Sequence, residues 1–388
     1  MINIIDKSKC SGCYSCATIC PKKCIEMLPD EEGFLYPTVD KSKCIDCGLC
    51  EKACPVVFKN KTNNTPNAYA VINKQEKIRI KSSSGGFFSL LAESILDKGG
   101  VVFGAAFDEH LNVIHKFIET KEQLLQLRGS KYVQSNIGNT YKEAQEFLDN
   151  DRWVLFTGTP CQIEGLLSFL KKDYKKLITQ DIICHGVPSP KVWQEYLKFR
   201  KKSDGSTPKS ISFRDKTTGW KTYSVRWTYD NNQNYFKRSN ADPMMRAFLT
   251  NSCLRYSCYD CAFKTLERPS DFTIADYWGI EKIHPELDDD KGVSLVLVNS
   301  KKGKEIFSEI SDEILFKETD LSLALKHNPS AIVSCKKPKH RKKFVKKINS
   351  KNFEKIVKKH CNGTFKGKIY LRISKTIKSI LSKRKGDI

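Results

Sequence analysis

The chain has 388 residues, 39% of them hydrophobic, which suits a small domain followed by one sizeable globular domain. Its formal charge is +23, but twenty Lys and Arg against only Glu354 and Asp387 put +18 of it into residues 336–388 and leave +5 for the preceding 335. With the basicity confined to one end and no nucleic-acid-binding motif beside it, nucleic acid is not an expected partner.

The N-terminal segment, residues 1–58, holds nine of the sixteen cysteines within its first 54 residues. Disulfide scaffolds belong to short secreted chains, so ligation is the better explanation of this density. Cys10, Cys13, Cys16, Cys20 and Pro21 form one run; Cys44, Cys47, Cys50, Cys54 and Pro55 repeat it 34 residues later. Both match C-x2-C-x2-C-x3-C-P, the pattern of bacterial two-cluster ferredoxins, in which the fourth cysteine of each run ligates the other run's cluster. The expected [4Fe-4S] clusters therefore use Cys10, Cys13, Cys16 and Cys54 for the first and Cys44, Cys47, Cys50 and Cys20 for the second. Three closely set thiolates wrap a cubane corner by corner, with nearby amides donating to its sulfurs. A zinc site would show four ligands in two pairs, without this duplication. Cys24 lies outside the pattern and reads as a small buried residue.

Residues 59–67 are polar, rich in turn formers and aperiodic, as expected of a linker. From 68 to 335 short apolar runs alternate with helical patterns. Strands are expected at 101–107, 153–156 and 177–184. FFSLLAESIL, IEGLLSFLKK and VWQEYLKF carry apolar residues at the helical period. The later segments KSISFRD, YSVRWTYD, DFTIADYW and VSLVLVN are β-rich. The expected architecture is an α+β ferredoxin-like two-cluster domain followed by an α/β domain with a mixed sheet.

Within that second domain, Ser83, Ser84, Gly85 and Gly86 precede an amphipathic helix, with Arg79 and Lys81 close by. Free amides, a helix dipole and cations make an anion site suited to a flavin phosphate; simple capping by Ser83 or Ser84 is the alternative. Arg128, Ser130, Lys131 and Tyr132 form a similar stretch, able to hold a phosphate or to line a solvated surface. Cys161 opens a helix just after a strand, where the helix N-terminus favours a thiolate. Cys184 ends the next strand, and if the two strands are parallel neighbours both thiols lie on the ligand-binding edge of the sheet. Cys258 and Cys261 add a C-x2-C pair, so four thiolates can be assembled for a third [4Fe-4S] cluster or for zinc. Cys253 competes with Cys184 for a place in that set.

Residues 336–388 read as a basic, partly amphipathic helical tail. Tyr370, Ile373, Ile377, Ile380 and Leu381 recur at helical spacing, with most cations off that stripe. Such a helix can lie on an anionic membrane face, pack on the protein itself or meet an acidic partner. No run approaches eighteen apolar residues and the N-terminus has no signal-like core. The expected localisation is cytoplasmic, with peripheral contact at the inner membrane face through the tail.

Taken in order, SSSGGFFSLL, RGSKYVQS, FTGTPCQIEGL, ICHGVPSPKVW, LRYSCYDCAFK and SDFTIADYWGI resemble the coenzyme F420 hydrogenase/dehydrogenase beta-subunit family, preceded here by a two-cluster ferredoxin domain. The resemblance covers residues 1–335. It implies an iron-sulfur flavoprotein oxidoreductase in which a [4Fe-4S] cluster exchanges electrons with FAD. By position it implies Cys161, Cys184, Cys258 and Cys261 as third-cluster ligands, with residues 83–86 and 128–132 near the flavin. ICHGVPSP and YDCAFK look like the bacterial branch associated with polysaccharide biosynthesis, which puts use of the deazaflavin itself in doubt. The expected partners are an electron-donor or acceptor protein and a small organic substrate. The competing expectation is a non-catalytic electron-relay subunit, which needs clusters but no two-electron centre.

Overall fold

Residues 1–58, 62 and 64–361 are described by the computed structural model. In the first segment the two cysteine runs flank a hairpin of β1 (Ile25–Pro29) and β2 (Leu35–Val39). The internal duplication is visible in the backbone. Gly12 and its counterpart Asp46 have φ of +69° and +48°, and Tyr14 and its counterpart Gly48 have +72° and +71°. Each left-handed residue turns the chain sharply between successive cysteines, so the thiols of one run face a common centre.

The body is an eight-stranded mixed sheet. Its strands are β3 (Asn67–Asn73), β4 (Val101–Phe107), β5 (Val113–Ile118), β6 (Val154–Thr157) and β7 (Leu177–Ile182). A separate three-stranded antiparallel sheet follows, with β8 (Pro208–Asp215), β9 (Ser224–Tyr229) and β10 (Asn234–Arg238). The chain then returns to the main sheet with β11 (Phe272–Asp276), β12 (Ser294–Val298) and β13 (Ile314–Glu318), giving the order β13-β3-β12-β11-β7-β6-β4-β5. The expected strands and helices are present within a residue or two at most boundaries.

β4, β6, β7 and β11 run parallel, and β3 shares their direction because β12 lies antiparallel to both β11 and β3. Five carboxyl ends therefore share one edge, where open α/β sheets hold their ligands. β4 and β6 are nearly continuous apolar runs because both faces are covered, whereas β7 and β11 also bury Thr179, Gln180, Asp181 and Thr273. The Phe87–Asp97 helix packs Leu90, Leu91 and Ile95 on one face, and the Pro160–Leu170 helix packs Ile163 and Leu166 on the other.

The first part of the basic segment is built into this body. Helices Arg341–Lys347 and Phe353–His360 bury Phe344, Val345, Phe353 and Val357 in the core that also contains Trp193, Phe213 and Trp227. Fully buried Arg341 grips Glu32 of the β1–β2 turn through two bonds of 2.9 and 2.5 Å. The amphipathic pattern at 368–384 lies outside the described residues. Among the described residues no helix is long and apolar enough to cross a membrane.

Candidate metal centres and cofactor site

The ferredoxin cysteines are grouped crosswise. Cys10, Cys13 and Cys16 lie within electrostatic range of Cys54, the last member of the opposite run. The amides of Gly12, Ser15 and Ala17 donate to the thiols of Cys10, Cys13 and Cys16 respectively. Burial pushes Cys13 up to about 12 and raises Cys10 and Cys16 as well. Buried thiols of this kind become thiolates on meeting a cationic centre. Among the described residues the Ser15 hydroxyl and the Tyr36 phenol are buried here without a hydrogen-bond partner, and both fit a neighbouring group rich in acceptors. Cys20, Cys44, Cys47 and Cys50 line a cavity with Ile25, Val39 and Leu49. Cys24 is buried as expected, yet it lines the same cavity, with its sulfur 3.4 Å from that of Cys20.

A third group of thiols sits at the carboxyl edge of the main sheet. Thr159 caps the Pro160–Leu170 helix in a reciprocal box with Gln162, which sets Cys161 in the first turn beyond β6. Cys184 lies two residues past β7, and the Tyr256–Asp260 turn supplies Cys258 ahead of Cys261. Cys161 lies within range of Cys261, Cys184 and Cys258. The amide of Val187 donates to the Cys258 sulfur at 3.4 Å, and that of Gly186 to Cys184. Cys253 is elsewhere: it is buried in the apolar core beside Cys361 and Arg341. The expected lowering of the Cys161 thiol is not found. Burial pushes it well up, the neighbouring thiols add to that, and the hydrogen bond with Thr159 opposes them; desolvation outweighs the helix terminus. Among the described residues no three His, Cys, Asp or Glu side chains converge closely enough to hold a single metal ion.

Gly165 and Tyr141 bring the helix of Cys161 against the ferredoxin domain. A Cβ on Gly165 would lie 2.9 Å from the Cβ of Cys13 and 2.9 Å from the Tyr141 hydroxyl. Tyr141 is within range of both Cys13 and Cys161, and its hydroxyl donates to the carbonyl of Gln162 at 2.7 Å. Cys161 and Gly165 are one helical turn apart, about 6 Å along the axis. The first ferredoxin centre therefore abuts the helix that presents Cys161.

The anion-site residues meet at the end of β3. The Ser83 and Ser130 hydroxyls are 2.9 Å apart, and the Ser130 amide donates to Ser83 at 2.9 Å. Gly85 has no room for a side chain, since a Cβ would stand 2.2 Å from the carbonyl oxygen of Val71 and 2.6 Å from the amide of Ser294. Gly86, at φ +92°, is the N-cap of the Phe87–Asp97 helix, which has no side-chain cap bond. Capping by Ser83 or Ser84 is thus not what these serines do; Ser84 instead donates to the carbonyl of Val293 at 2.7 Å. Arg128 turns to the helix, donating to Ser89 at 2.9 Å with Glu93 at 3.9 Å. Lys131, half-buried, donates to the carbonyls of Leu127 and Arg128, and desolvation lowers it to about 7. Tyr132 stacks on Phe248, centroids 4.7 Å apart. Lys216 bonds three backbone carbonyls and is likewise lowered to about 7 by burial, while Arg214 reaches the carbonyl of Ser83 at 3.3 Å and pairs with Asp276 at the end of β11.

Family models match most of the chain. Those for coenzyme F420 hydrogenase/dehydrogenase beta subunits match in two parts, the N-terminal one over residues 68–141 and the C-terminal one over 151–324. The chain belongs to the coenzyme F420 hydrogenase/dehydrogenase beta-subunit family. Two iron-sulfur models cover its front, "4Fe-4S dicluster domain" at 9–57 and "4Fe-4S single cluster domain of Ferredoxin I" at 39–82. Among solved structures, a chain of the F420-reducing [NiFe] hydrogenase complex from Methanosarcina barkeri is similar at 18% identity and a TM-score of 0.48, over 70% of this chain and 89% of that one. No curated protein sequence matches the chain. It is an iron-sulfur, oxidoreductase-like electron-transfer protein.

In this family member two further residues, Cys335 and Lys264, stand at the thiol-rich edge. Cys335 lies within range of Cys184 and Cys261, its sulfur 3.4 Å from the carbonyl of Cys258. Lys264 donates to the carbonyls of Cys184 and Ser330. Cys335 is solitary in the chain and Lys264 is one lysine among many, so neither carried a local signal. A cavity of about 250 Å³ also opens between the ferredoxin domain and the body, beside Tyr14, Asn112, Asn136 and Gln194. These groups bond one another, Tyr14 to Asn136 and Gln194 to Asn112, each at 2.6 Å.

Proposed function

We propose that the protein is an iron-sulfur flavoprotein oxidoreductase. Single electrons enter through the two ferredoxin-type clusters, pass to a third [4Fe-4S] cluster on Cys161, Cys184, Cys258 and Cys261, and are paired at FAD to reduce or oxidise a small organic substrate. The observation that carries this reading is the packing of Gly165 on Cys13, one helical turn from Cys161. It gives electrons a short passage from the ferredoxin domain to the ligand-binding edge of the sheet.

The residues at the end of β3 suit a dinucleotide. The start of the Phe87–Asp97 helix has no side-chain cap, which leaves its N-terminus to an anion, and Arg214 and Lys216 lie behind Ser83 and Ser84. FAD, when bound, supplies hydride chemistry that joins one-electron and two-electron partners. Lys131, lowered to about 7 by burial, regains its proton beside a phosphate or an anionic ring, because an opposite charge favours the ammonium. Tyr132, fixed by its stack on Phe248, walls the same region. The electron donor or acceptor is a separate protein, and a role in polysaccharide biosynthesis is proposed on the motifs ICHGVPSP and YDCAFK alone.

Anaerobic purification with iron and flavin counts tests the reading. The expected result is about twelve iron atoms, four per cubane, and one FAD released on denaturation. Retained iron without flavin would leave an electron-relay subunit instead.

A further inference from the structure

Arg255 is fully buried where the ferredoxin domain meets the body. Its Nε donates to the carbonyl of Cys10 at 2.8 Å, one terminal nitrogen to the carbonyl of Leu35 at 3.0 Å, and the other to Gln134 Oε1 at 3.0 Å. The nitrogen on Leu35 also stands 3.8 Å from the Cys10 sulfur. The guanidinium lies 4.1 Å from the Tyr36 ring centre and 5.3 Å from that of Phe34. Gly12 makes room for it, since a Cβ at that position would come within 2.9 Å of the guanidinium. None of these partners is a carboxylate. At the other end of the same residue, the backbone carbonyl accepts from the amide of Cys258 at 3.0 Å. One residue thus touches a thiol of the first ferredoxin centre and the backbone of a thiol in the sheet-edge group.

We propose that Arg255 is a positioning residue for electron passage: its fixed charge favours the reduced state of the cluster held at Cys10, and its backbone keeps Cys258 in register with that cluster. This rests on the cluster assignment made under the proposed function. Reduction of that cluster by one electron, delivered by a one-electron carrier protein, would add one negative charge beside the guanidinium. The same electron then leaves for the centre at Cys161, Cys184, Cys258 and Cys261. No proton moves, because a guanidinium keeps its proton in proteins. Nearby charge and hydrogen bonding are among the factors that set cluster potentials, and a buried cation is poorly screened. Arginine suits the position because its planar fork serves several acceptors at once while remaining charged.

The test uses the full chain, reconstituted anaerobically, as wild type, Arg255→Gln and Arg255→Lys, with iron counts and a spectroscopically monitored redox titration. Arg255→Gln is expected to keep its iron and to shift the midpoint of one ferredoxin cluster to more negative values by roughly tenfold in the reduction equilibrium, about 59 mV for one electron. The other ferredoxin cluster should stay in place, and Arg255→Lys should recover at least half of the shift. Unmoved potentials with intact iron would overturn the proposal. So would equal shifts in both variants, which point to packing, or loss of iron from both, which points to a purely structural role. A wild-type chain that takes up no iron would instead defeat the cluster assignment.

Discussion

Gly165 and Cys13, from different domains, stand so close that a methyl group on the glycine would sit 2.9 Å from the cysteine's Cβ. A glycine in the middle of a helix costs about 1 kcal/mol relative to alanine, and here its absent side chain lets the ferredoxin domain approach. Gly165→Leu is expected to destabilise the protein by about 1–3 kcal/mol through overpacking and to slow reduction of the proposed sheet-edge cluster. Denaturant melts and rapid-mixing reduction would read the two effects separately. Unchanged reduction kinetics would show that this contact is not the passage.

The cysteine assignment makes a sharper prediction. Replacing Cys161, Cys184 or Cys258 with Ala should each remove about four iron atoms, one cubane, and leave the ferredoxin clusters in place. Cys253→Ala should keep all of its iron, because Cys253 sits in the apolar core beside Cys361. Iron analysis decides it, and equal loss from Cys184→Ala and Cys253→Ala would refute the grouping.

His115 provides a pH test. It is buried on β5, stacked on Phe156 with its Nε2 3.0 Å from the carbonyl of Thr157, and burial lowers it to about 4 from 6.5. A histidine lowered on folding binds fewer protons in the native state, so stability falls as pH drops from about 6.5 to about 4. The loss from this group should reach roughly 2–3 kcal/mol, at about 1.4 kcal/mol per unit. His115→Phe should flatten that part of the curve, as measured by the difference between variant and wild type in denaturant melts at pH 7 and pH 5. Parallel curves would sink the assignment.

Glu32 and Arg341 are almost wholly buried, and their bidentate pair holds the β1–β2 turn against the helix that starts at Arg341. Removing one partner strands a buried charge, at a cost of about 3–5 kcal/mol. Arg341→Met is therefore expected to lower the unfolding temperature strongly, whereas Glu32→Gln with Arg341→Met should recover part of the loss. A chain cut after Cys335 loses the pair together with Phe344, Val345, Phe353 and Val357, and should be recovered largely unfolded. Circular dichroism melts of the three proteins give the comparison.

The spacing of the two cysteine runs was sufficient to read an iron-sulfur ferredoxin region, which the family models match, because most ligands of a cubane come from one tight stretch of backbone. The strand-to-helix junctions at Cys161 and Cys184 were legible for a similar reason: apolar period, Pro and Gly punctuate the chain locally. Their common edge was conditional on parallel strands, and only the sheet order supplied that condition. Cys184 was separated from Cys253 by which strand ends beside β6, a long-range fact with no local mark. The thiol of Cys161 went up where a helix terminus alone would bring it down, since burial is a property of the assembled body. Arg255 and Arg341 read as two cations among sixty-seven Lys and Arg until the fold enclosed them. What they do depends on Cys10 and Glu32, hundreds of residues away in the chain and brought within hydrogen-bond reach only by the packing of the ferredoxin domain on the sheet edge.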